Sequence, residues 1–412
     1  MSVDERSVRL EKKERLQALG FAPFALEPKR TAIVSDVVAS FDAWCAEAKP
    51  ISLAGRLLTI RVHGGMMFAD IADESGKFQI AFKQDEIGEE TFSQFRDLMD
   101  PGDIVEIHGH LFLTRRGEKS LSVTSWRPLS KALLPLPEKW HGLQDIETRY
   151  RARELDLLSN PEVRERFLIR SKLVSALRRF LDETGFIEVE TPMLHPIPGG
   201  ANARPFVTHH HALNADFYLR IAPELYLKRL LVGGFERVYE IGRCFRNEGI
   251  DHSHNPEFTM LELYWAYTQR EPFMAFLEKM MQTMIEAALG KREVDVGGTI
   301  LSFEGPFVRK TFRETILETT GLDIDTFETE DALRAAIADA GIRLDLSSCH
   351  GRSECLDELY KKTGRAAIVQ PTWVVDYPAE MKPLANVSPE DPTKSACAQL
   401  VIQGAEVVNA YY

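Results

Sequence analysis

Hydrophobic and polar residues follow different patterns in different parts of the chain. Residues 5–20 are charged with sparse leucines, which predicts a helix, and a second short helix is predicted around Val34–Ala46. Between residues 51 and 128, apolar residues alternate with polar ones in five short runs, with a helical stretch between the third run and the fourth. Such alternation is typical of strands with one buried face. This arrangement predicts a small closed β-barrel of the OB type.

A new pattern begins near Pro161, which starts a predicted helix with one apolar stripe. An amphipathic helix is also predicted over residues 272–289. Strand-like runs lie between these helices, at Phe186–Thr191, Phe206–Thr208, Phe217–Ile221, Val238–Phe245 and Phe258–Ala266. We therefore expect an α+β protein whose second domain combines an antiparallel sheet with helices. The expected parts are an N-terminal helical extension (1–50), the barrel (51–128), a proline-containing linker (129–160) and the second domain (161–412).

The composition, 44% hydrophobic and 27% charged, is that of a soluble globular protein. No apolar run reaches the roughly 18 residues of a membrane span, and the charged N-terminus lacks the apolar core of a signal peptide. We therefore expect a cytoplasmic protein that makes no contact with membranes. The net charge of −12 argues against bulk electrostatic binding of nucleic acid, but it allows a local basic face. The five cysteines include no C-x-x-C pair, so neither a zinc site nor a disulfide framework is expected.

The densest candidate for chemistry is the segment 235–267, where a polar loop, Asn247–Pro256, joins two predicted strands. The strand ends and the loop carry Arg246, Glu248, His254, Asn255 and Phe258. An arginine can hold a phosphate with a forked contact, and an aromatic ring can stack on a purine. Taken singly, each residue also fits an ordinary surface hairpin with a salt-bridged arginine and a core phenylalanine. Together they favour a site for a nucleoside triphosphate.

This segment resembles motif 2 of the class II aminoacyl-tRNA synthetases in its lysine form, through FRNEG at 245–249 and HNPEFTMLELY at 254–264. GFIEVETPML at 185–194 is similar to motif 1, which builds the dimer interface in that class. IPGGANARPF at 197–206 and LRIAPELYLKRLLVGG from residue 219 also resemble the lysine enzymes, and the barrel resembles their anticodon-binding domain. The resemblance implies a homodimeric lysine–tRNA ligase. Such an enzyme activates L-lysine with ATP to lysyl-adenylate and transfers it to tRNA(Lys).

The resemblance also implies roles for individual residues. Arg246 is expected to be catalytic, because it neutralises charge where the lysine carboxylate attacks the α-phosphate. The other expected ATP-binding residues are Glu248, His254, Asn255 and Phe258. The expected lysine-binding residues are Gly200, Glu224, Glu262, Tyr264 and Asn409. Glu406 is expected to bind Mg²⁺, and Arg61, Phe68 and Gln79 of the barrel are expected to contact the anticodon, with Phe68 stacking on a base.

The sequence departs from the family pattern in two places. Where the family has a second magnesium-binding acid, seven residues before Glu406, this chain has Gln399, a neutral and weaker ligand. The sequence also ends at Tyr412, before the glycine-rich strand and helix of motif 3 with which the family continues. From these two features we expect the 412-residue chain to charge tRNA poorly.

Three alternatives to a lysine–tRNA ligase remain open on the sequence. One is a ligase of the same subgroup for aspartate or asparagine, against which the segment Ile197–Ala201 and the residues Glu262 and Tyr264 argue. Another is an enzyme that lysylates a protein, although such relatives usually lack the N-terminal barrel. A third is a non-catalytic RNA-binding paralogue, which Gln399 favours and the intact motif 2 opposes.

Overall fold

The computed structural model describes residues 4–136, 143–251, 254–383 and 385–412. The chain forms two compact units, Met1–Arg164 and Glu165–Tyr412, and each is described by itself. Part of the predicted linker, residues 137–142, lies outside the described residues, as do His252 and Ser253 of the predicted polar loop.

The first unit is built on a closed five-stranded barrel. Its strands are β1 Ile51–His63, β2 Met66–Asp73, β3 Gly76–Lys83, β4 Ile104–Leu113 and β5 Lys119–Ser130. They pair in the order β1-β2-β3-β5-β4, and β1 closes the barrel by pairing with both β2 and β4. On β2, Met67, Ala69 and Ile71 are buried in the barrel core, because alternate residues of a strand face the same side. The predicted OB-type barrel is confirmed.

Helices cover this barrel and extend beyond it. They are α1 Glu5–Ala18, α2 Val34–Ala39, α3 Phe41–Ala46, α4 Gln84–Ile87, α5 Glu89–Leu98, α6 Ile146–Arg151 and α7 Arg153–Ser159. Leu16 of α1 and Phe41 of α3 belong to the same apolar cluster as the barrel interior. Arg9 of α1 donates to the carbonyl oxygens of Pro101 and Ala132 at 3.1 and 3.2 Å. The N-terminal helix is therefore packed on the barrel and is not an exposed arm.

The second unit contains four small sheets. The first has the order β11-β10-β6, with β6 Ile187–Glu188, β10 Arg237–Phe245 and β11 Glu257–Trp265. The second has the order β7-β9-β8, with β7 Leu194–His195, β8 Val207–His210 and β9 Ala215–Leu219. The third is the hairpin of β12 Glu293–Val296 and β13 Thr299–Ser302. The fourth has the order β14-β15-β16-β17, with β14 Val308–Thr311, β15 Thr372–Val375, β16 Cys397–Ile402 and β17 Ala405–Tyr411.

Helices pack against these sheets and complete the predicted α+β architecture. They are α8 Pro161–Glu183, α9 Glu224–Val232, α10 Arg270–Leu289, α11 Phe312–Thr320, α12 Glu330–Asp339 and α13 Arg352–Lys362, with 3₁₀ turns at Ile324–Thr326 and Ala379–Met381. Among the residues that the structure describes, no helix combines the length and apolar character needed to cross a membrane.

Helix α10 packs against one face of the β10–β11 hairpin. Phe276 of α10 lies 5.3 Å from Phe186 and 5.4 Å from Trp265 between ring centroids, and Leu261 and Leu263 join the same apolar cluster. Side chains alternate along a strand, so the residues between these leucines point to the opposite face. That face carries the predicted site.

Candidate active site

The β10–β11 hairpin aligns the candidate residues in rows. The two strands pair without interruption from Arg237 with Trp265 to Phe245 with Glu257. On the face away from α10, the cross-strand pairs are Val238 with Tyr264, Glu240 with Glu262, Gly242 with Met260 and Cys244 with Phe258. The predicted lysine-binding and ATP-binding positions of β11 therefore share one face of one strand.

Arg246 and Phe258 lie against each other at one end of this face. The guanidinium carbon of Arg246 is 5.1 Å from the centroid of the Phe258 ring, within the range of a cation–π contact. The Nε of Arg246 is buried and has no hydrogen-bond partner among the described residues. Buried donors are nearly always satisfied in native proteins. The arginine is therefore positioned by the ring and has a free donor for an anionic ligand.

The predicted loop residues occupy two places. Glu248 accepts a hydrogen bond from the backbone nitrogen of Arg204 at 3.2 Å, at a groove whose lining also includes Asn202, Ala203, Asn247 and Gly249. The His254 ring contacts the carboxylate of Asp251 at 2.8 Å, and Asn255 donates to the carbonyl of Glu257 at 2.8 Å. The structure thus places Glu248 across from the segment around Arg204, and it holds His254 and Asn255 at the start of β11.

Glu262 is a half-buried carboxylate among other acids. The hydroxyl of Tyr264 donates to its Oε2 at 3.2 Å. Burial raises the pKa of Glu262 to about 7, and the charges of Glu224 and Glu240 add to this, whereas the Tyr264 hydrogen bond and Lys228 oppose it. Glu224 is itself paired with Lys228 at 2.5 Å, one turn further along α9. Among the described residues, Glu262 forms no ion pair.

Gly200 packs directly against Glu224. Its φ of +88° suits glycine, and a Cβ at this position would lie 3.0 Å from the Cβ of Glu224 and 3.1 Å from that of Ala222. The structure therefore brings Gly200 and Glu224 together, as the resemblance implied. We call the surroundings of Glu262, Glu224 and Glu240 the acidic pocket, because the charges of Glu224 and Glu240 act on Glu262.

A buried ion pair beneath the pocket was missed from the sequence. Arg220 and Glu240, with side chains 2% and 5% exposed, are joined at 2.5 Å. Thr191 donates to the other oxygen of Glu240 at 2.6 Å, and Arg220 Nε donates to the carbonyl of Arg243 at 2.7 Å. A Cβ on Gly242 would lie 2.0 Å from Arg220 Nη2, so only glycine leaves room for this guanidinium. The available signal was Glu240 itself, an acid that shares its strand face with Val238 and Cys244 and so needs a buried partner.

The last predicted positions form a polar network on β16 and β17. Gln399 is buried and pairs with Asn409 across the two strands. Its Nε2 donates to Asn409 Oδ1 at 2.5 Å and to Glu406 Oε2 at 3.3 Å, and its Oε1 accepts from the Tyr377 hydroxyl. Glu406 Oε1 is bound by Arg365 at 2.6 Å.

This network does not fit a magnesium ion. Mg²⁺ requires several oxygen ligands in octahedral geometry. Here the amide group that faces Glu406 is a donor, and an arginine already neutralises the carboxylate. Within the described ranges, no three His, Cys, Asp or Glu side chains are grouped to hold a metal. Glu406 as a magnesium ligand therefore stays a prediction.

Of the three anticodon candidates on the barrel, Arg61 is exposed and Phe68 is half-buried, whereas Gln79 is buried. Arg61 of β1 is paired with Phe68 of β2, and Phe68 is half-buried outside the apolar core. Arg61 lies 3.5 Å from the carboxylate of Asp70. Gln79 is in the next row, opposite Asp70, and its Oε1 accepts from the Ser120 hydroxyl at 2.8 Å. The structure thus brings Arg61 and Phe68 side by side and places Gln79 one row away.

Comparison with known proteins agrees with both units. Residues 145–412 match the family model of the class II tRNA synthetases for aspartate, lysine and asparagine, and residues 51–129 match that of the OB-fold nucleic acid binding domain. The fold and the site therefore define a class II aminoacyl-tRNA synthetase with an OB-fold domain.

Three relatives identify the group within that class. The lysine–tRNA ligase of Roseiflexus castenholzii is 46% identical over 98% of this chain and 82% of its own length. The lysine–tRNA ligase of Syntrophomonas wolfei is 44% identical over 98% of this chain and 81% of its own length. The lysine–tRNA ligase of Moorella thermoacetica is 46% identical over 99% of this chain and 82% of its own length. The chain therefore belongs to the lysine–tRNA ligases, and the predicted family is confirmed.

Proposed function

We propose that the acidic pocket around Glu262 selects L-lysine, which the enzyme activates with ATP to lysyl-adenylate and transfers to tRNA(Lys). The observation that carries this proposal is that Glu262 has no cationic partner in the part of the chain that the structure describes. There, Glu240 is paired with Arg220 and Glu224 with Lys228, whereas Glu262 accepts a hydrogen bond from the Tyr264 hydroxyl. A half-buried carboxylate beside other acids is stabilised by a cation. The side-chain ammonium of lysine supplies one.

We take the roles of the remaining residues from the resemblance to the lysine enzymes. Phe258 stacks on the adenine, and Arg246, held against that ring, binds the α-phosphate and the lysine carboxylate. Glu248, His254 and Asn255 hold the rest of the nucleotide. Gly200 and Glu224 bind the α-amino group of lysine, and Asn409 binds its carboxylate.

No side chain acts as a nucleophile in this scheme. A carboxylate oxygen of lysine forms a bond to the α-phosphorus of ATP, the bond to the bridging oxygen of the β-phosphate breaks, and pyrophosphate leaves. The protein contributes positioning and neutralisation of charge, chiefly through Arg246. Magnesium enters this proposal only as the counterion of ATP.

We further propose that the barrel binds the anticodon of the tRNA through its outer face. Phe68 offers a half-buried ring on which a base can stack, a contact worth about 1–3 kcal/mol. Arg61, beside it, supplies positive charge for the backbone, and Gln79 supplies an amide for a base edge.

We also propose that the enzyme works in the cytoplasm as a homodimer through motif 1. Five apolar side chains on this segment and on the nearby helix α8 are between 41% and 51% exposed: Phe167, Leu168, Ile187, Met193 and Leu194. Exposed apolar residues are typical of an interface where they form a contiguous patch. In a two-fold dimer the same patch is contributed by each subunit.

Titration calorimetry with free amino acids tests the choice of lysine. We expect L-lysine to bind more tightly than L-ornithine or L-arginine, and aspartate not to bind, because the pocket is acidic. Glu262→Gln removes the charge while keeping the shape, and we expect it to abolish the preference for lysine. Binding of aspartate at the level of lysine would refute the assignment.

A further inference from the structure

Glu406 is held by protein groups on both of its oxygens. Arg365, on the turn after α13, binds Oε1 at 2.6 Å, and Gln399 donates to Oε2 at 3.3 Å. The backbone of Arg365 is fixed by its nitrogen, which donates to the Tyr360 carbonyl at 2.8 Å. The carboxylate therefore already has a cation and a hydrogen-bond donor from its own chain.

The side-chain amide of Gln399 is held in one orientation by a buried tyrosine. Its Oε1 accepts from the hydroxyl of Tyr377, which is buried and lies 3.1 Å from the hydroxyl of Tyr360. The amide nitrogen of Gln399 therefore points toward Glu406 and Asn409.

The orientation of Gln399 determines which end of Asn409 is free. Asn409 Oδ1 accepts from Gln399 at 2.5 Å, which leaves the Asn409 Nδ2 group without a hydrogen bond to any described residue. Asn409 is exposed, so this group faces outward as a donor. A donor at this place complements a carboxylate.

A glutamate at position 399 would reverse this arrangement. It would place a second carboxylate beside Glu406, and two such groups need either a shared proton or a bound cation. It would also accept from Asn409 instead of donating to it, so the carbonyl of Asn409 would turn outward. Gln399 and Arg365 therefore act together: the arginine neutralises Glu406, and the amide avoids a second negative charge beside it.

We propose that Arg365 supplies the positive charge beside Glu406 and that Gln399 aims Asn409 at the substrate carboxylate, so that this corner of the site works without a bound divalent cation. The role of Asn409 rests on the proposed function, whereas the absence of an ion site does not. Arg365 and Gln399 are positioning residues in this scheme.

Binding of Mn²⁺ alone, followed by electron paramagnetic resonance on the nucleotide-free protein, tests the part that concerns the ion. We expect no site tighter than about 1 mM in the unmodified chain, because a carboxylate paired with arginine is a poor ligand. The double variant Arg365→Gln, Gln399→Glu has two free carboxylates, and we expect it to gain a site at least about tenfold tighter. The double variant Arg365→Gln, Gln403→Glu makes the same change in net charge, with the new carboxylate on the exposed turn of the same hairpin, and serves as the matched control.

Two results would overturn the proposal. One is a tight Mn²⁺ site in the unmodified chain that disappears in Glu406→Gln. The other is a double variant that keeps its circular dichroism spectrum and yet gains no site, because Arg365 and Gln399 would then not be what keeps the ion out.

Calorimetry with L-lysine tests the positioning role. We expect Arg365→Ala to weaken lysine binding by about tenfold, the usual effect of losing a charge-assisted hydrogen bond, and Arg365→Lys to restore most of it. Equal weakening by both variants would mean that Arg365 only supports the fold. If the unmodified chain does not bind lysine, the proposed function fails, but the Mn²⁺ result still decides the question of the ion.

Discussion

A carboxyl group half-buried beside other acids resists ionisation, and Glu262 is such a group. Its pKa of about 7 lies above the ordinary value of 4.5, first because of burial and then because of Glu224 and Glu240. The folded protein therefore binds a proton at Glu262 more tightly than the unfolded chain does. Stability from this group is complete below about pH 4.5, falls as the pH rises toward 7 and is constant above it. The proposed lysine site, when empty, is thus a locally destabilised part of the fold.

Glu262→Gln should remove this pH dependence. The amide imitates the protonated acid, so we expect no gain near pH 4.5 and a gain of about 1–3 kcal/mol in the free energy of unfolding at pH 8. Thermal unfolding at the two pH values, followed by circular dichroism, measures the difference. The exposed Glu257→Gln on the same strand is the control, with an expected change within about 0.5 kcal/mol at either pH. An unchanged difference between the two pH values in Glu262→Gln would contradict the raised pKa.

At the scale of single elements, the packing of strand β10 depends on Gly242, which has no side chain. The guanidinium of Arg220 occupies the space where a Cβ of residue 242 would lie, only 2.0 Å from Nη2. The guanidinium donates to the Arg243 carbonyl of β10 and to the Thr191 hydroxyl. The backbone nitrogen of Arg220 donates to the Met193 carbonyl, so Arg220 ties β10 to the segment 191–193. The position of Glu262, which pairs with Glu240 across the hairpin, follows from this contact.

Gly242→Ala should break the buried pair of Arg220 and Glu240. Displacing one partner of a buried ion pair usually costs about 3–5 kcal/mol, because the other charge is left uncompensated. We expect a loss of this size in urea unfolding. Gly249→Ala is the comparison, because its Cβ would meet no atom within 4 Å and the loss should stay below about 1 kcal/mol. Equal stability of the two variants would show that Arg220 can move aside.

On the barrel, strand β2 offers a single test of RNA binding. Phe68→Ala should weaken binding of tRNA(Lys) by about 1–3 kcal/mol in a filter or fluorescence assay, if the ring stacks on a base. Phe82→Ala is not a suitable control because that ring is fully buried in the barrel. The exposed Leu113→Ala on β4 removes a comparable apolar side chain, and we expect it to leave the affinity unchanged. A folded Phe68→Ala protein with normal affinity would assign the ring to ordinary packing.

At the scale of the whole molecule, the proposed dimer depends on the exposed apolar residues of the second unit. Phe167→Asp places a charge within this patch, and burying it in an interface would be costly. We expect the unmodified protein to sediment as a dimer and the variant as a monomer. Leu26→Asp, in the first unit at a side chain 86% exposed, should leave the dimer intact. A monomer at all concentrations before any substitution would contradict assembly through motif 1.

The alternation of side chains made the barrel and the hairpin predictable, because both depend on neighbours close in the sequence. The proximity of Arg246 and Phe258 was predictable for the same reason, since a hairpin brings its strand ends together. The contact of Arg365 with Glu406 joins residues 41 positions apart on separate elements, and no local sequence pattern predicts it. The sequence could show that Gln399 replaces an acid, but not that an arginine takes up the remaining charge. Likewise, nothing local distinguishes a packed N-terminal helix from an exposed arm, because Leu16 meets its partners only in the folded barrel.

The raised pKa of Glu262 also couples the amino-acid pocket to the acidity of its surroundings. Near pH 7 about half of the empty pockets carry a proton on this group, and an arriving ammonium ion favours the ionised form. In the proposed lysine site, each lysine that binds would therefore release a fraction of a proton into the medium. The heat of binding would then depend on the ionisation enthalpy of the buffer. Below this pKa we expect the apparent affinity for lysine to fall by about tenfold per pH unit, because lysine and hydrogen ions would compete for the same carboxylate.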